Sequence, residues 1–407
     1  HVPSYGNPVS DNWLVVWDEA GLPIPQMKVG RIPINTNEEL DYYLSKVENN
    51  FNERFDEWNK RYMFFSGGAA NDSSEIAQLK AVNDQIITTL IRPIPLSGSY
   101  THFYKTINPL SDFGPYTSEQ VSNAIDEGGV FISYLGHSGT ATWDNSINET
   151  IQLKNKVNRN PLITDFGCST NKFAEPDIVA FGERFLLNND GQALGYIGNS
   201  SLGFTTTSFS LPIYFYEDML NSETKEVGNA HLTSKIRMFQ NLGTSLVFRL
   251  FALTNTLVGD PAIRIKIPNQ PNLKISSSDL LLSNNFLNDA EDSTEIKVVI
   301  NNFGSKDSSQ FNYSIQHSAG GNTIKTFSER RDLPNFKDTL SFWVSIKDLA
   351  GENSLNISLD LSNEINEIYE DDNNLTYNFY VYSTALRDLV KHRIENSSLS
   401  QIKILNP

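Results

Sequence analysis

The 407-residue chain carries 48 acidic against 32 basic residues, giving a net charge of −16 at pH 7. This excess of acid excludes a general nucleic-acid binder, because binding a phosphate backbone needs a broad basic surface. The length favours about two or three folding units. No apolar run reaches the roughly 20 residues of a membrane helix, so we predict no transmembrane segment in the chain.

Up to residue 268, apolar runs alternate with helical periodicity. This alternation is typical of a mostly parallel sheet covered by helices. The predicted strands are 61–66, 100–106, 130–135, 161–167, 192–197 and 262–267. The predicted helices are 73–91, 117–126, 177–187, 211–221 and 229–257, the last interrupted around Gly243.

The pattern changes at the Pro-rich linker 268–271, after which the helical period disappears. Short apolar runs separated by Asn, Gly, Ser and Asp clusters are typical of a β-sandwich. We therefore expect a first domain at 1–268, a sandwich at 269–383, and a tail at 384–407 that we leave unassigned. The predicted sandwich strands are 273–282, 295–301, 310–316, 340–346 and 355–361.

The chain holds a single cysteine, Cys168. One thiol cannot make an intrachain disulfide or a multi-thiolate zinc site. Three interpretations stay open at this point: a small buried side chain, an incidental surface thiol, or a nucleophile.

Two side chains capable of chemistry follow neighbouring strands of the predicted sheet. Strand 130–135 leads into His137, and strand 161–167 leads into Cys168. Functional side chains gather beyond the carboxyl ends of parallel strands, and adjacent strands lie about 4.8 Å apart. A thiol with a pKa of about 8.5 needs a base, which an imidazole supplies. The pattern favours a catalytic pair, with a structural role for each residue as the alternative.

Other residues near these strand ends are candidates for binding substrate. Gly136 and Gly167 allow a substrate backbone to approach closely, and an N–H at the nucleophile can bind a developing oxyanion. Ser138 follows the histidine directly.

Four further residues have a functional or a structural interpretation. Asn199 and Ser200 follow strand 192–197, where they either line the cleft or form a turn. Trp143 either walls the cleft or covers the sheet edge. Asp165 lies inside an apolar strand, which favours a hydrogen-bonded structural role.

The acidic run 367–374 contains oxygen ligands that suit calcium. A structural calcium ion there is one interpretation, and a solvated turn is the other. The chemistry of a histidine–cysteine pair requires no cofactor, and we predict no metal at the catalytic site.

Four segments in a fixed order resemble the gingipain-like cysteine peptidases of the caspase-like clan. The likeness extends over residues 10–267. The segments are Val29-Gly30-Arg31-Ile32-Pro33 with the helix after it, Gly136-His137 with Trp143, Cys168 with Phe173, and Leu257-Val258-Gly259-Asp260-Pro261-Ala262.

This resemblance implies an α/β caspase-like fold, a mostly parallel sheet with flanking helices. It implies that Cys168 is a nucleophile that forms an acyl-enzyme and that His137 is its base or imidazolium partner. Backbone N–H groups near Gly136 and Cys168 would form the oxyanion hole.

Three positions depart from the family pattern. Ser138 and Asn171 stand where the family usually has glycine, and residues 65–68 contain no acid to orient the histidine. For the acid of an arginine-specific pocket, Asp72 and Glu75 are both candidates, and they equally fit a helix N-terminal cap.

Residues 272–382 resemble the CARDB module, an all-β immunoglobulin-like sandwich, in segments 298–304 and 363–374. Together the two domains resemble sortase-like components of the type IX secretion system of Bacteroidetes. That resemblance implies an endopeptidase or transpeptidase that removes C-terminal sorting domains from secreted cargo. It also implies outer-membrane secretion partners and a location that is extracellular, on the cell surface or outer-membrane-associated. The alternative is a degenerate domain that binds cargo or a secretion partner without cleaving.

Overall fold

The computed structural model describes residues 5–17, 24–106, 116–143, 155, 159–187, 193–284 and 286–385. The chain divides into two compact units, residues 1–268 and 269–407. The tail that we left unassigned lies outside the described residues from residue 386 onward. No helix within the described ranges is long and apolar enough to cross a membrane.

The strands of the first unit are β1 Arg61–Ser66, β2 Ser99–Tyr104, β3 Phe131–Leu135, β4 Ser138–Gly139, β5 Thr142–Trp143, β6 Leu162–Asp165, β7 Gly195–Asn199 and β8 Asn255–Val258. Six of them form one sheet in the order β2-β1-β3-β6-β7-β8. All neighbours in this sheet are parallel except β8, which is antiparallel to β7. β4 and β5 form a separate two-stranded ribbon.

The helices of this unit are α1 Asn37–Asn52, α2 Ser73–Ile86, α3 Ser118–Asp126, α4 Phe181–Leu187, α5 Thr205–Ser208, α6 Leu211–Asn221, α7 Val227–Leu242 and α8 Leu246–Thr254. Side-chain caps fix several of their starts. Thr36 and Thr117 form capping boxes with the first turns of α1 and α3, and Asp72 caps α2.

The central strands β3 and β6 are buried along their whole length. Full burial is expected for parallel strands that helices cover on both faces, and it explains why their sequences are continuous apolar runs. Beside β3, Tyr134 stacks on Trp143 with ring centroids 4.7 Å apart. Trp143 in turn stacks on Phe185 of α4 at 5.6 Å. This aromatic stack therefore links β3, β5 and α4 within the core of the unit.

Three predicted elements of the first unit were wrong. Residues 255–257, predicted as the end of a helix, form part of β8, because a short apolar run does not distinguish helix from strand. Residues 262–267 form no strand and contribute only an isolated bridge between Arg264 and Glu226. Helix α4 begins at Phe181 rather than at 177. At its observed start, Glu183 accepts a hydrogen bond from the Ala180 N–H.

The strands of the second unit are β9 Leu273–Lys274, β10 Leu280–Leu282, β11 Leu287–Asn288, β12 Ser293–Asn302, β13 Gln310–Ala319, β14 Asn322–Asp332, β15 Lys337–Ser345, β16 Gly351–Leu359 and β17 Asn374–Tyr382. They form two sheets, β10-β12-β15 with β9 on β12, and β11-β17-β16-β13-β14. The pairing is antiparallel except between β11 and β17. This all-β unit has its own apolar core.

The sequence missed β11, β14 and β17 and merged β9 with β10. β14 is exposed over most of its length, so it carries no apolar alternation to detect. Between β9 and β10 a 3₁₀ turn interrupts the strand, and Ser276 and Asp279 cap it reciprocally.

Candidate active site

The histidine and the cysteine follow two neighbouring strands. His137 comes two residues after the end of β3, and Cys168 comes three residues after the end of β6. β3 and β6 are parallel and adjacent, with Tyr134 opposite Asp165. Both side chains therefore start from the same edge of the sheet.

Ser138 joins the two loops directly. Its Oγ accepts a hydrogen bond from the Cys168 backbone N–H at 2.6 Å. The same hydroxyl faces the Cys168 carbonyl oxygen at 3.0 Å and Asp165 Oδ1 at 3.3 Å. This contact brings the loop that carries His137 against the loop that carries Cys168. Among the described residues no hydrogen bond joins the His137 ring to the Cys168 Sγ.

An acid does lie against the histidine, which corrects our expectation from residues 65–68. The Nε2 atom of His137 is 3.1 Å from Oε2 of Glu75. Glu75 stands in the first turn of α2, and the Ala69 N–H holds its carboxylate at 2.8 Å. Asp72, the other acid we considered, is the N-cap of α2 and accepts from Ser74 and Glu75. The sequence showed Glu75, but nothing in it showed that the first turn of α2 reaches the β3 loop.

This contact assigns the two nitrogens of the His137 ring. A carboxylate only accepts hydrogen bonds, so the nitrogen that faces Glu75, Nε2, carries the proton in the neutral ring. Nδ1 is then the nitrogen with a free lone pair. The ring is 56% exposed and Glu75 16%, so this pair orients the imidazole at a wet surface.

The thiol is partly exposed and is contacted by the loop after β7. The Gly203 N–H points at the Cys168 Sγ at 3.3 Å, and the Gly203 carbonyl oxygen is 3.9 Å from the sulfur. This placement is that of an accessible thiol rather than of a packed core side chain. Gly203 was not among the predicted site residues, since only the folded loop brings it to the sulfur.

Beneath the thiol lies the fully buried carboxylate of Asp165. Its Oδ1 accepts from the Gly167 N–H at 2.7 Å, and its Oδ2 accepts from Trp143 Nε1 and the Tyr196 hydroxyl, each at 3.0 Å. Burial raises the pKa of Asp165 to about 6, and the hydrogen bonds oppose this rise. These hydrogen bonds are those of a buried structural carboxylate, which is the role that the sequence favours for Asp165.

Trp143 does not wall a cleft. Its side chain is fully buried between Tyr134 and Phe185, and its indole N–H points at Asp165. Of our two interpretations, the structure therefore contradicts the substrate-binding one. Trp143 supports the floor of the site.

Asn199 and Ser200 do not face a substrate either. The Ser200 hydroxyl donates to the Val9 carbonyl oxygen at 2.5 Å, and Asn199 is fully buried. The Asn199 Nδ2 donates to the Gly167 carbonyl oxygen, while its Oδ1 accepts from Asn255 Nδ2 at 2.9 Å. Asn199 thus holds the peptide that precedes Cys168.

This buried amide chain continues away from the site. Asn255 Oδ1 lies 2.8 Å from Nε2 of His231 on α7, and Lys235 Nζ donates to the Asn255 carbonyl oxygen at 2.6 Å. Burial lowers the pKa of both His231 and Lys235 well below their ordinary values. This series of hydrogen bonds links α7 to the turn that carries Cys168.

The two glycines predicted at the site are needed for close packing. A Cβ on Gly167 would collide with the Ser138 Oγ, and a Cβ on Gly136 would collide with the Tyr134 hydroxyl. That hydroxyl donates to the His137 carbonyl oxygen and so fixes the histidine loop.

The acidic run of the second unit is held by protein contacts. Glu367 accepts from the Leu273 N–H and from Asn373 Nδ2. Burial raises the pKa of Glu367 to about 8. Over the part of the chain that the structure describes, no group of three or more His, Cys, Asp or Glu side chains could hold a metal ion. A structural calcium ion stays a prediction.

Comparison with protein families matches residues 1–266 to Peptidase family C25. The chain is also similar to the solved complex of Porphyromonas gingivalis RgpB pro- and mature domains, at 14% identity and a TM-score of 0.54 over 93% of this chain and 83% of that chain. The Arg-specific cysteine proteinase gingipain R (RgpB) gives 15% identity and a TM-score of 0.54, over 93% and 81%. Comparison with curated protein sequences finds no match.

A CARDB domain from Pyrococcus furiosus is similar to 28% of this chain and 90% of its own, at 18% identity and a TM-score of 0.24. The likeness to RgpB confirms the predicted fold class, a caspase-like, mostly parallel α/β sheet followed by an all-β region. The family match covers more than half of the chain. This chain therefore belongs to peptidase family C25, the gingipain family of cysteine peptidases.

Proposed function

We propose that this chain cleaves proteins or peptides through an acyl-enzyme on Cys168, with His137 as the base. The observation that carries the proposal is the hydrogen bond from the Cys168 N–H to Ser138, because it brings the histidine loop against the thiol loop. The exposure of the thiol and the carboxylate of Glu75 on the far side of the imidazole support the same roles.

The chemistry follows from these contacts. Nδ1 of His137 takes the thiol proton while the Cys168 sulfur attacks the substrate carbonyl carbon. The imidazolium, stabilised by Glu75, returns that proton to the leaving amine as the C–N bond breaks. The acyl group stays on sulfur as a thioester until water adds, which releases a carboxylic acid and the free thiol.

Within this general activity, the biological role that we propose is that of a sortase-like processor of C-terminal sorting domains in type IX secretion. In that role the substrate is secreted cargo, the partners are outer-membrane secretion proteins, and the chain acts at the cell surface or the outer membrane. The support is the sequence resemblance and the chemistry of the thioester, which an amine resolves as readily as water does.

A degenerate domain that binds cargo or a secretion-system partner without cleaving is the second candidate. The observation that favours it is the 2.6 Å hydrogen bond that engages the Cys168 N–H, a donor that acyl transfer needs. The two candidates differ in turnover, which a peptide assay measures.

The test incubates the full chain with a peptide library, with and without glycinamide, and identifies products by mass spectrometry. We expect cleavage by the wild type and at least a thousandfold less by Cys168→Ala and His137→Ala. Products that end in glycinamide support the sortase-like role, and free acids alone indicate a hydrolase. A folded wild type that cleaves nothing and whose Cys168 resists iodoacetamide overturns the peptidase proposal.

A further inference from the structure

Three consecutive backbone N–H groups at the turn that carries the thiol all donate to protein acceptors. The Gly167 N–H donates to Asp165 Oδ1 at 2.7 Å, and the Cys168 N–H donates to Ser138 Oγ at 2.6 Å. The Ser169 N–H donates to the Ser201 carbonyl oxygen at 2.8 Å. Acyl transfer needs N–H donors aimed at the place where the oxyanion develops, so an oxyanion hole that includes the Cys168 N–H requires this donor to change partner.

The hydroxyl of Ser138 is the acceptor that can leave most easily. Asp165 is fully buried and fixed by further donors from Trp143 and Tyr196. Ser138 is partly exposed, and one rotation about χ1 takes its hydroxyl away from the Cys168 N–H and from its contacts with the Cys168 carbonyl oxygen and Asp165 Oδ1. Water hydrates the rotated hydroxyl, and the Cys168 N–H becomes available.

We propose that the Ser138 hydroxyl occupies the oxyanion-binding N–H of Cys168 in the free enzyme and competes there with the substrate carbonyl. Ser138 is thus a residue that sets the reactivity of the site toward acyl-transfer substrates. This inference rests on the proposed function of Cys168 as the nucleophile. A typical hydrogen bond between neutral groups corresponds to a factor of about three to ten, which is the gain expected when the hydroxyl is removed.

Two reactions of the thiol separate this effect from a general change in the site. Addition to a peptide aldehyde joins sulfur to the carbonyl carbon and transfers the thiol proton to the oxygen, so it uses the oxyanion donor. Alkylation by iodoacetamide displaces iodide and develops no oxyanion. A change confined to the first reaction therefore reports on the Cys168 N–H.

The experiment compares wild type, Ser138→Ala and Ser138→Gly with a panel of tripeptide aldehydes that end in basic, apolar or acidic residues. We expect both variants to bind the aldehydes about three to ten times more tightly, while the iodoacetamide rate changes less than twofold. Ser208→Ala is the matched control, because Ser208 is a buried serine that donates to the Phe166 carbonyl oxygen at 2.8 Å, below the same turn, without touching Cys168. It should show no gain.

Aldehyde binding by the two folded Ser138 variants that equals or is weaker than that of the wild type overturns the inference. The inference is also overturned if no aldehyde of the panel binds to any of the proteins while iodoacetamide still reacts with Cys168. A thiol that reacts with neither reagent in any of the proteins overturns the proposed function instead. Thermal unfolding midpoints establish that each variant is folded, and Ser138→Gly replaces Ser138→Ala if the latter is not.

Discussion

Glu75 and His137, 62 residues apart in the chain, meet with Oε2 3.1 Å from Nε2. The acid comes from the first turn of α2 and the histidine from the loop after β3. The contact depends on the sheet order, since β1, which leads into α2, pairs with β3. Because Nε2 carries the proton toward Glu75, Nδ1 is left to act as the base.

Loss of this carboxylate should slow catalysis without weakening binding. For Glu75→Gln we expect kcat to fall about ten- to a hundredfold, less than the roughly 10⁴-fold cost of altering a buried triad aspartate, because water screens this exposed pair. KM should stay within about twofold of the wild-type value. Glu119→Gln, which removes a first-turn acid from α3, is the control and should leave both constants unchanged. A several-fold rise in KM with an unchanged kcat would contradict the orienting role.

Asn199 is expected to support both stability and catalysis. Asn199→Ala leaves the Gly167 carbonyl oxygen and the Asn255 amide without their partner, at a cost of roughly 1–3 kcal/mol for each group. The rate per folded molecule should also fall, because the released peptide precedes the nucleophile.

Urea unfolding and single-turnover cleavage measure these two effects. The control is Asn302→Ala in the second unit, where a buried amide also donates to two backbone carbonyls. It should lower stability without lowering the cleavage rate. A similar loss of rate in both variants would show that the effect of Asn199 is not local.

Asp165 should make stability depend on pH in a defined window. Its pKa rises from 3.8 to about 6 on burial, so the folded state binds more protons than the unfolded state in that interval. The favourable contribution is complete below pH 3.8 and is lost as pH rises through about 6. The shift corresponds to roughly 3 kcal/mol.

The measurement is the difference in the free energy of unfolding between wild type and Asp165→Asn, followed from pH 4 to pH 7. As pH rises, the wild type should lose free energy of unfolding relative to Asp165→Asn, because the variant does not titrate at this position. A constant difference, or one that shifts toward the wild type, contradicts the buried-carboxyl assignment.

Trp143 should affect stability but not substrate binding. Trp143→Phe removes the indole N–H that points at Asp165 and leaves a small cavity, which we expect to cost about 1–3 kcal/mol. KM should not change, since the ring is fully buried. Trp343→Phe is the control, because that ring is 60% exposed and its truncation should cost little. A several-fold change in KM for Trp143→Phe would place the ring in the cleft after all.

The strand periodicity was sufficient to predict β3 and β6 and, through them, the neighbouring positions of His137 and Cys168. Parallel central strands are apolar throughout and end in glycine-marked loops, so their sequences carry a strong signal. The helix α6 was predicted at its observed bounds because its apolar face repeats with the helical period.

The contacts around the pair could not be predicted in the same way. Glu75 reaches the site from the first turn of α2, which follows β1, and Gly203 reaches it from the loop after β7. Only the sheet order decides which of these segments meet. The sequence predicts only a turn former or a cleft residue at Asn199, because its hydrogen-bond partners, Gly167 and Asn255, are distant in the chain. Hydrogen bonds between distant segments leave no periodic signal in a sequence.

The most direct test of the account is to trap the covalent intermediate. The full chain is mixed with a peptide that the wild type cleaves, quenched in acid within milliseconds, and digested for mass spectrometry. We expect an acyl group in thioester linkage on Cys168 in the wild type, and none in His137→Ala over the same time. A wild type that cleaves the peptide without ever carrying an acyl group on Cys168, or that carries it on another residue, would contradict the account.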